Sequence, residues 1–299
     1  MRALQTIVAV LLLGAGACRR PRAALDRGDE LYGAGEAEAA VAEYKLALRR
    51  RGEDPQVLLR LGAAYAARGD VEASRRYLTR LMERDSSYRF QVASELAEAA
   101  RSARKRGALD NMARALEPVE ALGLGAVPRD LRLPLARYYA ELGNDERALP
   151  LYLAVVQAGA EPEPEALFET ARTLRNLGGC REAIGYFERY MAADRRDPAN
   201  LTSARWQAGS CLFEVAEAER RAGAGDDALE RLDRLIEIGV PLPLMDRAHF
   251  ARAELRIARG DTVAAERDLE TVLDLNPARS GPLVAQAEEM IREIRYGKP

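Results

Sequence analysis

Glycines recur along this chain at a nearly constant interval, and this recurrence constrains its fold more than any other feature. The interval from Gly28 to Gly62 equals the interval from Gly35 to Gly69. The series of turn glycines then continues at equal or somewhat longer intervals, with Gly107, Gly143, Gly178, Gly223 and Gly260. The basic interval is roughly 34 residues, which is typical of repeat architectures in which each unit is one small motif. We therefore expect an array of similar units.

The residues after each turn glycine predict the second of two antiparallel helices. A residue that faces the helix pair follows each glycine after five positions, and a larger apolar residue follows four positions later, on the same helix face. These pairs are Met112 with Leu116, Ala148 with Tyr152, Ala183 with Phe187, Ala228 with Leu232, and Ala265 with Leu269. Glycine permits the positive φ of a tight turn. One such unit cannot bury its own apolar face, so the units must stack.

The segment 61–70, with the sequence Leu-Gly-Ala-Ala-Tyr-Ala-Ala-Arg-Gly-Asp, resembles the first helix and turn of a tetratricopeptide repeat (TPR). The last full unit ends in Leu-Asp-Leu-Asn-Pro at residues 273–277, which is similar to the family's typical ending. The resemblance implies an all-α fold, a right-handed superhelical solenoid of about seven helix-turn-helix repeats over residues 23–281. It covers nearly all of the chain that follows residue 22.

Two repeats depart from this pattern, and one further helix follows the array. Repeat three, around residues 89–124, is degenerate. Repeat six has a first helix, residues 201–221, that we expect to be longer by about two turns. Residues 282–299 form a C-terminal segment with a predicted amphipathic helix that caps the end of the solenoid. The alternative is that this helix docks onto a partner.

Residues 1–17 resemble an export signal peptide. Arg2 supplies the positive charge, residues 7–13 are apolar, and residues 14–17 are small. The apolar run is too short to cross about 30 Å of hydrocarbon as a helix. Small residues directly before Cys18 resemble the lipobox of bacterial lipoproteins, in which the cysteine is acylated and becomes the first mature residue. The resemblance implies a lipidated Cys18 and a short tether over residues 18–22.

The lipobox departs from the family's pattern in two ways. Ala15 stands where the family usually has Leu, and Arg19, Arg20 and Arg22 follow the cysteine at once. Positive charge after an apolar segment opposes its translocation. An uncleaved anchor and a plain signal peptide are therefore the alternatives. By the family's sorting rule, Arg19 indicates the outer membrane facing the periplasm; periplasmic and inner-membrane locations are the other possibilities.

The cysteine count suggests one disulfide. If Cys18 is lipidated, Cys180 and Cys211 remain as a pair. Cys180 begins the second helix of repeat five, and Cys211 lies well along the first helix of repeat six. Neighbouring helices of a TPR stack run antiparallel, which brings these positions within the Cα separation of under about 7 Å that a disulfide needs. Export permits oxidation. Two buried free thiols are the alternative.

Composition argues against several classes of function. A net charge of −2 with one His disfavours a nucleic-acid binder, a multi-His metal site and a His-based catalytic triad. His249 is expected to be a packed or surface residue, and the chain contains none of the usual phosphate-loop, nucleophile-elbow or zinc-protease motifs. We expect a non-enzyme without cofactor or metal, which binds no nucleic acid and no small-molecule substrate.

The resemblance also implies a peptide-binding groove. TPR superhelices bind partners on a concave surface lined by the first helices. The positions that face it in repeats three to five are mostly basic, which favours an acidic segment or a C-terminal carboxylate held by bidentate Arg contacts. The candidate groove residues are Arg101, Arg104, Lys105, Arg137, Arg172, Arg175, Trp206 and Phe213. The alternatives are that the basic side chains pair with neighbouring Glu residues and that Trp206 only packs within its helix.

Together these features predict an envelope-anchored TPR scaffold or adaptor that binds peptide segments of partner proteins, in the assembly of envelope complexes. A TPR fold does not fix a pathway. One alternative is a structural envelope protein that self-associates through its solenoid ends. The other is a non-catalytic accessory subunit of a cell-wall or envelope enzyme.

Overall fold

The computed structural model describes residues 23–159, 163–193 and 197–297. These residues contain fifteen α-helices and no β-strand. They fall into two compact units, the first ending at Val119 and the second beginning at Glu120. The predicted signal peptide, the predicted lipidation site Cys18 and the tether lie outside the described residues.

Fourteen of the helices follow one another as seven pairs, and helices of one pair pack together in repeats one, two and four to seven. The pairs are α1 (Ala24–Gly33) with α2 (Ala37–Arg51), α3 (Pro55–Arg68) with α4 (Val71–Arg84), α5 (Arg89–Lys105) with α6 (Leu109–Glu120), α7 (Arg129–Glu141) with α8 (Asp145–Val156), α9 (Pro164–Asn176) with α10 (Cys180–Ala192), α11 (Pro198–Arg221) with α12 (Gly225–Ile238), and α13 (Met245–Ala258) with α14 (Thr262–Leu275). A single helix, α15 (Pro282–Tyr296), ends the fold. The predicted all-α architecture of seven helix pairs and one further helix is confirmed.

The turns within the pairs lie where the glycine series places them. All seven turn glycines have φ between 71° and 90°, a conformation that glycine adopts without a Cβ penalty. In repeats two, four and seven the next residue caps the second helix, since Asp70, Asn144 and Asp261 each accept a bond from the backbone N–H three residues on. The residues predicted to face the pair, five and nine positions after the turn glycine, are at most 1% exposed in repeats three to seven.

Small residues let paired helices approach in the first two repeats. A Cβ on Gly62 would lie 2.4 Å from Cγ of Leu78, and a Cβ on Gly28 would lie 2.4 Å from Cε1 of Tyr44. The large side chain of the second helix therefore occupies the space that a side chain on the first helix would need. The recurrence of both the glycine and its partner at the same interval is thus a packing requirement.

Repeat six is the largest departure from the regular pattern. Its first helix α11 has 24 residues, whereas α9 of repeat five has 13. The excess is about three turns, not the two turns expected from the sequence, because the helix already begins at Pro198. The added turns pack against the segment that follows α12. A Cβ on Gly209 would lie 1.9 Å from the carbonyl oxygen of Val240, and Arg205 donates to the carbonyl of Ile238 at 2.7 Å.

The final helix packs onto repeat seven. Val284, Ala287 and Ile291 of α15 are buried with residues of α13 and α14, and Leu283, Met290 and Ile294 pack around them. Its apolar face is therefore occupied within the chain, which is the arrangement expected of a cap and not of a helix that docks onto a partner. None of the described helices is both long enough and apolar enough to span a bilayer.

Candidate peptide-binding surface

The first helices of the repeats leave one side open, and we call this side the first-helix face. In repeats two, five, six and seven the first helix packs against its own second helix on one side and against the preceding second helix on another. Four of the accessible residues of α3 follow helical spacing along one side: Gln56, Arg60, Ala63 and Ala67. Such a stripe can contact an extended or helical peptide without disturbing the core.

In unit one, polar side chains on this face are tied to one another. Arg60 Nε donates to Asp29 at 2.7 Å, and the hydroxyl of Tyr44 donates to the same carboxylate at 2.7 Å. Burial, and then the hydrogen bond to Asp29, raise the pKa of the Tyr44 hydroxyl. Arg60 also donates to Gln56 at 2.7 Å. This network fixes α1 against α3.

Three predicted groove residues lie at the end of α5 in unit one. Arg101 forms an ion pair with Glu98 at 3.2 Å, one turn before it on the same helix. Arg104 and Lys105 are exposed in the last turn, where cations interact favourably with the helix dipole.

In unit two, two predicted groove residues are paired with carboxylates. Arg137 of α7 donates to Glu165 of α9 at 2.5 Å, and Arg172 lies 2.6 Å from Glu169 one turn away. Burial raises the pKa of Glu169, and the charge of Arg172 acts in the opposite direction. The positive charge that the sequence suggests is thus largely neutralised at these two positions. Both arginines thus follow the alternative that the sequence allows, pairing with a neighbouring Glu.

Arg175 and Trp206 form a different kind of contact. The Arg175 guanidinium carbon lies 5.8 Å from the centre of the Trp206 ring, within cation–π range, and its Nη1 donates to Gln207 at 3.4 Å. Trp206 stands on the added turns of α11 and is 49% exposed. It therefore offers a ring surface to solvent, beyond any packing role within its helix.

Phe213 does not line an accessible groove, contrary to the prediction. It is only 8% exposed and belongs to the core of unit two. It stands in the run 211–213, all of which is buried because α11 packs against both α10 and α12. What reaches the surface at this place is Arg247 of α13, whose guanidinium carbon lies 4.7 Å from the Phe213 ring centre.

Cys180 and Cys211 lie where the second helix of repeat five meets the first helix of repeat six. Their sulfur atoms are joined at 2.05 Å, and their Cα atoms are 5.0 Å apart. The pair ties α10 to α11, the long helix that carries Trp206.

His249 belongs to a buried ionic cluster in repeat seven. Asp268 of α14 is 2% exposed and accepts bonds from His249 at 2.8 Å, Arg252 at 2.5 Å and Arg256 at 2.8 Å. Burial alone would raise the pKa of Asp268, but the hydrogen bonds from His249 and Arg252 outweigh it and lower the pKa. The arrangement holds α13 to α14 and engages the imidazole, in line with the packed role expected for His249.

Among the described residues no group of three or more His, Cys, Asp or Glu side chains is arranged to hold a metal ion. The residues of this surface that sequence reasoning missed are Gln207 and Arg247. Each takes part in a contact between neighbouring helices, and the repeat spacing carries no signal for such contacts. The one signal in the sequence for further positive charge near Trp206 is Arg205, the residue that precedes it.

Part of the chain matches a known repeat family. Residues 25–89 match the model of the tetratricopeptide repeat family. Together with the seven helix pairs, this match supports a TPR protein. Repeats of this family generally serve as non-catalytic scaffolds for protein interactions, and a protein-interaction scaffold is the class that the match supports here.

Many solved structures are similar at low identity. The C-terminal part of a TPR repeat-containing protein from Cytophaga hutchinsonii is 12% identical, with 88% of this chain and 98% of that chain covered and a TM-score of 0.36. The TPR2AB domain of yeast Sti1, in complex with pHSP90, is 16% identical, with coverages of 91% and 97% and a TM-score of 0.37. YrrB, described as a TPR protein with an unusual peptide-binding site, is 21% identical, with coverages of 65% and 91% and a TM-score of 0.34. No curated protein sequence matches the chain.

Proposed function

We propose that this chain is a lipid-anchored scaffold of a bacterial envelope, which binds peptide segments of partner proteins on its first-helix face and so brings envelope components together. The observation that carries the proposal is the open first-helix face. In unit one α3, and separately in unit two α9, α11 and α13, bury one side against neighbouring helices and present another to solvent, with Arg side chains in both units and Glu and Trp in unit two. A groove or face of this kind suits the recognition of extended or helical peptides.

The anchor part of the proposal rests on the sequence before residue 23. Acylation of Cys18 would hold the array close to the membrane, because residues 19–22 alone separate this cysteine from Ala23. One acyl chain binds a membrane only marginally, whereas two or more give stable anchoring. The expected location is the outer membrane facing the periplasm.

The anchor is tested by metabolic labelling with radioactive palmitate and by membrane fractionation. We expect labelled, membrane-bound protein from the natural chain, and unlabelled protein from the Cys18→Ala variant. A natural chain that remains unlabelled would contradict lipidation while leaving the scaffold function open.

The scaffold function is tested by crosslinked affinity purification from detergent-solubilised membranes. The natural chain and two variants serve as baits. The test variant carries Gln56→Glu and Ala63→Arg, two accessible changes on the first-helix face of α3. The control variant carries Arg76→Glu on the exposed side of α4. A specific envelope protein that is reduced by the first-helix changes and retained by Arg76→Glu supports the proposal. Recovery of the protein alone from every bait would contradict it and would favour self-association.

A further inference from the structure

Charge is distributed unevenly along this chain. Residues 19–119 contain 20 basic and 16 acidic side chains, whereas residues 120–299 contain 24 basic and 31 acidic ones. A net charge that changes sign along a chain favours an anionic partner for one part and disfavours it for the other. The excess of positive charge lies in unit one and in the segment that precedes it.

Three consecutive arginines end the second helix of repeat one. Arg49, Arg50 and Arg51 are exposed in the last turn of α2, and none of them forms an ion pair with another described residue. Arg68 and Arg75 of the same unit, in contrast, are both paired with carboxylates. The helix dipole favours cations in the last turn, but it leaves the N–H donors of three guanidinium groups available to an external acceptor.

The array begins at the same end of repeat one. Arg27 of α1 pairs with Glu43 of α2 at 2.7 Å. Because the two helices run antiparallel, the start of α1 at Ala24 lies level with the end of α2. Residues 19–22 therefore join the array next to the three arginines, and three of these four residues are arginines too.

Repeat two brings further side chains to this end of unit one. Arg84 in the last turn of α4 pairs at 3.4 Å with Glu53, which lies between α2 and α3. Gln56 of α3 donates its amide N–H to the hydroxyl of Tyr88 at 3.2 Å. The ends of α2 and α4 and the starts of α3 and α5 therefore lie together. We call the region of residues 49–56 and 84–90 the tether end.

One aromatic ring at the tether end is open to solvent. Phe90, at the start of α5, is 71% exposed, and the guanidinium carbon of Arg89 lies 4.8 Å from its ring centre. A singly exposed apolar residue needs no explanation. An exposed aromatic ring among arginines, however, is the combination that suits a membrane interface, where the ring enters the headgroup region and the cations bind anionic lipid.

The carboxylates at this end are outnumbered by the arginines. Five lie at or next to the tether end: Asp26, Glu53, Asp54, Glu83 and Asp85. Three of these five are already engaged, since Glu53 pairs with Arg80 and Arg84, and Asp54 and Asp85 accept backbone N–H groups at 2.8 Å and 2.9 Å. Nine arginines oppose them, three in residues 19–22, three in residues 49–51, and Arg80, Arg84 and Arg89.

From this arrangement we propose that the tether end is a membrane-contact surface, on which the arginines bind the phosphate groups of anionic phospholipids and the Phe90 ring enters the interface. The inference deepens the proposed membrane anchoring and rests on it. The anchor alone fixes only the start of the chain, whereas this contact also orients unit one. Because the helices of this unit meet the surface at their ends, its first-helix face stays open to a partner.

The strength of such a contact follows from the number of charges. A basic residue near an anionic membrane surface strengthens binding by about fivefold. Stable attachment takes two signals, such as an acyl chain and a basic patch. The tether end supplies the second signal next to the residues that would carry the first.

The contact is measured through quenching of a tryptophan by brominated lipid. Full-length protein from detergent-solubilised membranes is reconstituted into vesicles of phosphatidylethanolamine and brominated phosphatidylglycerol. Trp206, the sole tryptophan, is changed to Phe, and Phe90→Trp then places the reporter at the tether end. The control reporter is Tyr32→Trp, which lies about 12 Å from Ala24 along α1, towards the opposite end of the repeat. We expect about half or more of the emission to be quenched at position 90 and little at position 32.

Variants assign the contact to the unpaired arginines. The triple change Arg49→Gln, Arg50→Gln and Arg51→Gln should reduce the quenching at position 90 by at least about half. About 1 M salt should do the same, because the Debye length then falls to about 3 Å. The matched control carries Arg68→Gln and Arg75→Gln, two arginines of unit one that are already paired, and should leave the quenching unchanged. Circular dichroism confirms that each variant is folded.

Three results would each overturn the contact: no quenching at position 90, equal quenching at positions 90 and 32, or quenching that the three arginine changes do not reduce. An acidic protein or a nucleic acid as the true partner of the tether end would give the first result. Palmitate labelling and vesicle flotation of the natural chain would then still stand, so this failure is distinct from failure of the anchor.

Discussion

Repeats two and six use the same turn and pairing rules but differ in what their first helices contain. In repeat two, α3 has 14 residues, and Gly62 makes room for Leu78 of its own partner helix. In repeat six, α11 has 24 residues, and Gly209 makes room for the backbone of Val240 in the loop that follows α12. In repeat two the glycine lets the two helices of the pair pack together. In repeat six it lets α11, with its added turns, pack against the segment that follows α12. The disulfide and Trp206 both lie on that irregular helix.

The largest expected effect is a loss of stability that differs between Gly209 and Gly62. Gly209→Ala should lower the free energy of unfolding by about 3 kcal/mol, because its Cβ meets a backbone carbonyl that cannot turn aside. Gly62→Ala should cost less, about 1 to 2 kcal/mol, because the Leu78 side chain can shift. Urea denaturation followed by circular dichroism measures both.

The control for this pair is Gly185 of α10, whose added Cβ would meet nothing within 4 Å. Gly185→Ala should raise stability by about 0.5 to 1 kcal/mol, since alanine is the better helix former. A Gly209→Ala variant as stable as Gly185→Ala would show that the added turns do not depend on this approach.

The next effect concerns the disulfide of the irregular helix. The two cysteines are 31 residues apart in the sequence, so the double change Cys180→Ala and Cys211→Ala should cost about 2 to 4 kcal/mol. Reductant should lower the melting temperature of the natural chain and leave that of the double variant unchanged. If reductant has no effect on the natural chain, the two cysteines are free thiols, as the sequence also allowed.

The smallest expected effects concern the N-caps of α4 and α12, the second helices of repeats two and six. Asp70 caps α4 by accepting from the N–H of Ala73 at 3.0 Å, whereas Ala224, with a similar backbone conformation, gives α12 no side-chain cap. Asp70→Ala should cost about 1 kcal/mol, and Ala224→Asp should gain about 0.5 to 1 kcal/mol. Thermal melts of both variants measure these shifts; a destabilising Ala224→Asp would mean that repulsion from Asp226 and Asp227 outweighs the cap.

The Asp70 cap also has a pH dependence. The bond from the Ala73 N–H, together with the hydrogen bond and charge of Arg68, lowers the pKa of Asp70. Its contribution is therefore present above the ordinary pKa of an aspartate, about 3.9, and is lost as the pH falls through the lower folded-state value. The difference in stability between Asp70→Ala and the natural chain should therefore shrink in acid, since only the charge-dependent part of the cap is lost.

Much of the fold could be predicted from the sequence, because glycine turns and small–large pairs depend on local backbone and volume. The seven turn glycines and the buried partners such as Leu116 and Phe187 follow from spacing alone. The site could be predicted only in part. Which arginine meets a carboxylate depends on how neighbouring helices are rotated about their axes, as Arg137 with Glu165 shows. The burial of Phe213 depends on helix contacts on two sides of α11, which no spacing reveals.

The most direct test of the central claim is photocrosslinking at Ser210, which lies between Trp206 and Phe213 on the first-helix face of α11. A photoreactive phenylalanine at this position is compared with one at Arg76 on α4, in cells that express the protein. We predict a discrete adduct with an envelope protein from position 210, lost when Arg175 and Arg247 are both changed to Gln, and none from position 76. Adducts from position 76 alone, or none from position 210, would contradict a scaffold that binds its partner at this surface.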